Sequence, residues 1–182
     1  AAISPTTATL TCGSATTTLT ASGGGTYDWG GGITTATNNV STANTYTVTV
    51  TGTNGCTATA SAVVNQNINA PVASVRPTSF QLTCTNPSVT LTAAGGGTYN
   101  WGSGITTAAN TVNSPGTYTV TVTGANGCTA TAQAVVTQDI ATPAATVSPT
   151  SATLNCTTAS ATLTAGGGGT YNWGAGNTTT TN

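Results

Sequence analysis

Charged side chains are almost absent from this chain. Among its 182 residues there are one Lys or Arg and two Asp or Glu, with no His and no Met. The charged residues are Asp28, Arg76 and Asp139. General acid–base catalysis and activated nucleophiles need such groups within hydrogen-bond reach of one another. We therefore expect that the protein is not an enzyme and has no catalytic residues.

The shortage of charge argues against further classes of function. Nucleic-acid binding requires several Lys or Arg side chains to neutralise phosphates, and this chain has one. A membrane-spanning helix requires roughly 18 apolar residues in a row, and no such run occurs. Residues 1–5 show neither the basic start nor the apolar stretch of a signal peptide, so we interpret the segment as mature or internal. We expect neither a nucleic-acid partner nor a membrane span.

What the chain does contain is a repeat of 72 residues. This spacing relates two sets of cysteines and one set of tryptophans. The sets are Cys12, Cys84 and Cys156; Cys56 and Cys128; and Trp29, Trp101 and Trp173. The sequence thus predicts two full repeats, 1–72 and 73–144, followed by a partial third repeat, 145–182.

Within one repeat the polar and apolar residues alternate with period two, which is typical of β-strands. In the first copy the pattern predicts strands at 7–12, 17–21, 26–29, 33–40, 45–51 and 56–64. The Asn54-Gly55 pair predicts a hairpin, because both residues tolerate positive φ. Short strands with frequent turns predict an all-β fold of tandem immunoglobulin-like β-sandwich repeats, joined by linkers at 65–71 and 137–143 into an extended rod.

Strand parity predicts which side chains form the core. Tyr46, Val48 and Val50 share one face of their strand, and threonines occupy the other face. We expect the core of the first copy to be completed by Leu10, Leu19, Trp29, Ile33 and Val40. The core aromatic residues across the copies are then Trp29, Trp101, Trp173, Tyr46 and Tyr118. This core is small for 72 residues, so a covalent staple is expected.

The five cysteines are expected to supply that staple. There is no Cys-x-x-Cys spacing and no His, which argues against zinc, and we expect no metal and no cofactor. Disulfides imply an oxidising, extracellular setting, whereas reduced buried thiols are the plainer alternative.

Two disulfide connectivities explain the odd number of cysteines. Cys12 pairs with Cys56 and Cys84 with Cys128, which leaves Cys156 unpaired in this fragment. Alternatively Cys56 pairs with Cys84 and Cys128 with Cys156, which leaves Cys12. Parity places the first pair on predicted core faces and favours bonds inside each repeat, worth roughly 3–4 kcal/mol in the chain-entropy model.

Three segments of the second copy resemble a known type of repeat. They are Leu-Thr-Cys-Thr-Asn-Pro-Ser-Val-Thr-Leu-Thr-Ala at 82–93, Gly-Gly-Thr-Tyr-Asn-Trp at 96–101, and Pro-Gly-Thr-Tyr-Thr-Val-Thr-Val-Thr-Gly-Ala-Asn-Gly-Cys-Thr-Ala-Thr-Ala at 115–132. They look like the Ig-like or PKD-like tandem repeats of Bacteroidota secreted surface proteins, including giant gliding-type adhesins. The resemblance implies a β-sandwich stalk exported to the cell surface. The near absence of carboxylates departs from such stalks and argues against rigidification by calcium.

These observations predict a structural repeat of an extracellular cell-surface fibre or adhesin stalk that self-associates into filaments. Its partners are expected to be copies of itself or adjacent repeats, because a nearly neutral surface opposes association little. One alternative is a carbohydrate-binding module that stacks sugars on Tyr27 and Trp29, and on Tyr99 and Trp101, with surface glycans as partners. Another is an ice-binding surface built from the alternating threonines at 45–51 and 57–59.

Overall fold

The computed structural model describes residues 1–181, and the regular elements in that range are all β-strands. The all-β prediction is therefore confirmed. No helix among the described residues is long and apolar enough to cross a bilayer. The chain divides into two compact units, Ala1–Gln138 and Asp139–Asn182.

The first unit begins with a β-sandwich formed by the first copy of the repeat. Its strands are β1 (Ala2–Ser4), β2 (Thr7–Thr11), β3 (Thr17–Ser22), β4 (Thr26–Asp28), β5 (Thr37–Val40), β6 (Asn44–Thr51) and β7 (Thr57–Asn67). They form a three-stranded sheet in the order β1-β3-β5 and a four-stranded sheet in the order β2-β7-β6-β4. The predicted hairpin is confirmed, since β6 and β7 pair antiparallel up to Thr51 and Thr57.

The second copy builds the same arrangement in the same unit. Its strands are β8 (Ser74–Arg76), β9 (Ser79–Thr83), β10 (Val89–Ala94), β11 (Thr98–Asn100), β12 (Ala109–Val112), β13 (Gly116–Thr123) and β14 (Thr129–Asp139). The sheet orders, β12-β10-β8 and β11-β13-β14-β9, match those of the first copy strand for strand. The two copies therefore share the same strand order in both of their sheets.

Each sandwich has its own apolar core. In the first copy Leu10, Leu19 and Val48 are fully buried, and the alternating burial along β3 and β6 follows the sequence parity. The second copy buries Leu82, Leu91 and Val120 at the equivalent positions.

The prediction for Ile33 is wrong. Its side chain is 39% exposed, because residues 29–33 form a turn instead of the start of a strand. The Trp29 N–H donates to the Ile33 carbonyl at 3.0 Å, and the Ile33 N–H donates to the Gly30 carbonyl at 3.2 Å. The strand predicted for 33–40 therefore begins only at Thr37.

The predicted linkers are also partly wrong, because the last strand of each copy runs into them. β7 continues to Asn67 and β14 to Asp139. The reason for the first extension is a parallel partner: β2 pairs alongside the end of β7, with Thr7 opposite Val63 and Thr11 opposite Asn67. A strand edge that is paired over these residues holds them in extended conformation.

The second unit contains a smaller amount of regular structure. Its strands β15 (Thr146–Ser148) and β16 (Thr164–Gly166) form a two-stranded antiparallel sheet. The sequence holds no equivalent of β6 and β7 for this copy. Accordingly Val147 is 42% and Leu154 58% exposed, whereas their equivalents Val75 and Leu82 are buried.

Candidate inter-repeat junction

The two cysteines of a repeat lie at opposite ends of its sandwich. Cys12 directly follows β2, whose last residue pairs with Asn67 at the end of β7. Cys56 directly precedes β7, eleven residues before Asn67. At the usual strand rise, eleven residues span roughly 36 Å. Because the β2–β7 pairing is parallel, a bond between these two thiols is out of reach.

The structure instead bonds Cys12 of the first copy to Cys128 of the second. Their Cα atoms are 4.9 Å apart, although the residues are separated by 116 positions in the sequence. The predicted bonds Cys12–Cys56 and Cys84–Cys128 are therefore wrong, and so is the alternative that leaves Cys12 unpaired. Cys56 and Cys156 are exposed and are not in disulfides.

Cys128 lies at the end of a tight turn that presents it to the neighbouring repeat. The Gly124 N–H donates to the Cys128 carbonyl at 2.8 Å, and the Gly127 N–H donates to the Gly124 carbonyl at 2.9 Å. The Cys128 N–H donates to Oδ1 of Asn126 at 3.1 Å. Asn suits this position because its short side chain mimics a backbone acceptor. We call residues 124–128 the docked turn.

The docked turn also forms hydrogen bonds with the first repeat. Nδ2 of Asn126 donates to the Asn69 carbonyl at 2.9 Å, and it lies 3.1 Å from Oδ1 and 3.3 Å from the carbonyl oxygen of Asn67. In return the Gly13 N–H donates to the Asn126 carbonyl at 3.2 Å. The junction is thus held by hydrogen bonds between the two repeats as well as by the disulfide.

Gly127 allows the two backbones to approach closely. Its φ is +76°, and an added Cβ would lie 2.7 Å from the Gly13 nitrogen and 2.8 Å from the Gly13 Cα. A side chain at Gly13 would meet nothing nearer than 3.7 Å. The close approach and the positive φ thus both favour Gly at 127, whereas the space around Gly13 is compatible with Thr85 and Thr157 at its equivalent positions.

The first copy carries the same turn without a neighbour on it. At residues 52–56, the undocked turn, the backbone bonds are repeated at the same lengths, and Oδ1 of Asn54 accepts from the Cys56 N–H at 3.1 Å. Cys56, Asn54 and Gly55 are exposed, whereas Cys128 retains only 3% exposure. Contact with the neighbouring repeat, and not a different turn conformation, accounts for this difference in exposure.

The aromatic residues singled out from the sequence lie against the cores. Trp29 and Tyr46 are half-buried on the first core, and Trp101 and Tyr118 on the second. Each indole N–H donates to a backbone carbonyl six residues later, in all three copies. Trp173 is likewise half-buried in the second unit, where it borders a depression of about 260 Å³.

The acidic residue beside Trp29 has a local structural role. Oδ1 of Asp28 accepts from the Gly30 N–H at 2.7 Å. Asn100 and Asn172 make the same bond at 2.8 and 2.9 Å in the later copies. The neutral amide of Asn therefore accepts the same hydrogen bond as the carboxylate of Asp28. No group of three or more His, Cys, Asp or Glu side chains that could hold a metal was found within residues 1–181.

Sequence reasoning missed Asn126 and Gly127 as junction residues. The recurrence of Asn-Gly-Cys at 54–56 and 126–128 was the available signal. This recurrence predicts a hairpin turn, but the alternation along two paired strands does not indicate which other part of the molecule contacts that turn.

Comparisons with solved structures return distant likenesses. The three N-terminal domains of the highly immunogenic outer capsid protein Hoc of bacteriophage RB49 align over 72% of this chain and 55% of their own, with 21% identity and a TM-score of 0.44. The eight N-terminal Ig domains of Down syndrome cell adhesion molecule align over 78% of this chain and 26% of their own, with 12% identity and a TM-score of 0.35. The fibronectin(III)-like modules of Clostridium thermocellum CbhA align over 74% of this chain and 92% of their own, with 9% identity and a TM-score of 0.35.

The chain thus spans about half of the Hoc structure and a quarter of the adhesion-molecule structure. No known protein-family description matches the sequence. No curated protein matches it either.

Proposed function

We propose that this chain is a structural repeat segment of an extracellular cell-surface fibre or adhesin stalk, whose repeats associate into filaments. The observation that carries the proposal is the junction between the first two copies, where Cys12–Cys128 and the Asn126 hydrogen bonds join one sandwich to the next. A protein that connects its modules covalently end to end is suited to bearing load.

Two further features support this function. Disulfides persist in oxidising compartments and are rare in the cytosol, which favours an extracellular location. The surface is rich in Thr, Ser, Asn and Gly with a net charge of −1, so copies repel one another little. The partners are then further copies of the repeat, with boundaries near 72 and 144, and the array resembles the Bacteroidota stalks named above.

Electron microscopy of the native material, combined with the mass of the denatured and reduced chain, tests the proposal. We expect thin filaments or threads made of repeats. A short reduced chain would identify a filament assembled from many copies, and a very long one would identify a stalk. Dispersed globular particles with no elongated assembly would contradict both forms of the proposed function.

A further inference from the structure

We propose that Asn54 is a site of covalent modification, where the side-chain amide converts spontaneously to a carboxylate, and that contact between the repeats protects the equivalent Asn126 from the same change. The co-reactant is water. This inference does not depend on the proposed function, because it concerns the chemistry of one short segment in two environments.

Both asparagines precede a glycine. Asn-Gly occurs at 54–55 and at 126–127 and nowhere else in the chain. In the conversion of Asn to Asp, the nucleophile is the backbone nitrogen of the residue that follows. Glycine has no side chain to hinder the approach of that nitrogen to the amide carbon. These two asparagines are therefore the most reactive ones in the sequence.

The reaction has two steps and consumes one molecule of water. The Gly55 nitrogen attacks Cγ of Asn54 and forms a cyclic succinimide, while Nδ2 leaves as ammonia and takes the proton of the Gly55 N–H. Water then opens the ring at either of its carbonyls. Opening on the side-chain portion of the ring gives Asp, and opening at the backbone carbonyl gives isoaspartate, in which the main chain continues through the side chain. No oxidant or reductant is needed.

The local restraints on the two asparagines are equal. In the undocked turn the Gly55 N–H donates to the Gly52 carbonyl at 2.9 Å, and the equivalent bond of the docked turn has the same length. Oδ1 of Asn54 accepts from the Cys56 N–H at 3.1 Å, and Oδ1 of Asn126 accepts from its own cysteine at the same distance. A difference in rate between the two sites therefore comes from contacts outside the turn.

Those outside contacts differ at the atom that leaves. Nδ2 of Asn126 donates to the Asn69 carbonyl at 2.9 Å and lies 3.1 Å from Oδ1 of Asn67. Within residues 1–181, no partner is bonded to Nδ2 of Asn54, and this residue is exposed whereas Asn126 is half-buried. Loss of ammonia from Asn126 therefore requires bonds across the junction to break first.

The junction also restrains the attacking nitrogen of the docked turn. An added Cβ on Gly127 would lie 2.7 Å from the Gly13 nitrogen, whereas one on Gly55 would meet nothing within 4 Å. The next residue, Cys128, is bonded to Cys12. Ring closure requires the backbone between asparagine and glycine to rotate, and both contacts oppose this rotation. A segment held by tertiary contacts opens at a higher free energy than an exposed one.

The modification changes the chemistry of the undocked turn. A carboxylate only accepts hydrogen bonds, whereas the amide of Asn54 also donates them. The carboxylate is ionised at neutral pH and adds a negative charge to a chain whose net charge is −1. A turn that no neighbour covers thus loses the donor that Asn126 uses to bind the first repeat.

The experiment is incubation of the oxidised 182-residue chain in neutral buffer under an inert atmosphere, with samples digested by pepsin at acidic pH and analysed by liquid chromatography and mass spectrometry. We expect Asp and isoaspartate to form at position 54 at least about ten-fold faster than at position 126, the ratio produced by about 1.4 kcal/mol of additional barrier. Asn54→Gln, which would have to close a larger ring, should show almost no conversion at that site.

Two further measurements test the role of the junction. Cys12→Ser removes the disulfide, so the rate at position 126 should rise towards the rate at position 54. A synthetic peptide of residues 51–58 gives the rate of the unprotected sequence, and position 54 in the chain should convert within about ten-fold of it.

Three results would overturn the inference. They are equal rates at the two sites of the oxidised chain, a rate at position 126 that does not respond to Cys12→Ser, and an intact Asn54 after the peptide has converted fully.

Discussion

Both polar atoms of the Asn126 side-chain amide form hydrogen bonds at the junction, so replacing this residue tests how much the junction contributes to stability. Oδ1 holds the docked turn and Nδ2 binds the first repeat. Asn126→Ala removes both sets of bonds and leaves backbone carbonyls of the first repeat without a donor. We expect the free energy of unfolding of the oxidised chain to fall by about 1–3 kcal/mol, measured by denaturant titration.

Asn54→Ala is the matched control for that change. Asn54 makes the same bond within its turn but faces no neighbour in the single chain. Its replacement should lower the free energy of unfolding of the monomer by less than the Asn126 change. If the two variants lose equal stability, the bonds across the junction contribute nothing and only the local turn matters.

A second residue-level prediction concerns the paired glycines. Gly127→Ala and Gly55→Ala both place a side chain at positive φ, which costs roughly 1–2 kcal/mol per residue. Only Gly127→Ala also forces a Cβ to within 2.7 Å of the Gly13 backbone. We expect this variant to lose most of the Cys12–Cys128 bond, detected as two additional reactive thiols by mass spectrometry. The Gly55 variant should keep the bond, and two variants with identical thiol counts would contradict the close approach.

The limits of sequence reasoning are clearest at the cysteines. Parity assigned Cys12 and Cys56 to core faces, yet both are exposed in the structure. Period-two alternation specifies the face of a strand but not the end of the sandwich at which the strand stops. The separation of the two thiols follows from the parallel direction of β2 against β7, which no local pattern contains.

At the scale of elements, leucines at equivalent positions of two copies differ in burial. Leu82 on β9 is 1% exposed, whereas its equivalent Leu154 is 58% exposed. Leu82→Ala should therefore destabilise the first unit by about 2–5 kcal/mol, measured by denaturant unfolding. Leu154→Ala should change the free energy of unfolding by less than about 0.5 kcal/mol. A large loss on changing Leu154 would show that its side chain is covered in solution.

Local elements were predictable where the pairing is local. The β6–β7 hairpin, with its Asn54-Gly55 turn, and the buried face of Val48 and Val50 followed from alternation and turn chemistry. β1 was missed, because three residues are too few for a period to show. The extension of β7 to Asn67 was also missed, since it depends on a partner strand that lies 56 residues earlier in the chain, with Thr11 opposite Asn67.

At the scale of the whole molecule, the Cys12–Cys128 bond closes a long loop in the unfolded chain. For a loop of 116 residues, the chain-entropy model gives a stabilisation of about 4–5 kcal/mol. Cys12→Ser should lower the free energy of unfolding of the first unit accordingly, as measured by urea titration. Cys56→Ser serves as the control, since Cys56 takes no part in this bond. This variant should leave the free energy of unfolding of the monomer unchanged.

The position of that bond also determines how tension would travel through the molecule. If the chain is pulled from its two ends, force passes from β2 through the sulfur atoms into β14, and residues 13–127 lie outside the covalent path. About 115 residues, or roughly 390 Å of contour length at full extension, are thereby withheld from stretching. In single-molecule pulling we expect this length to appear only after reduction. An array locked in this way would behave under drag as a nearly inextensible tether, and local reduction would convert it into an elastic one.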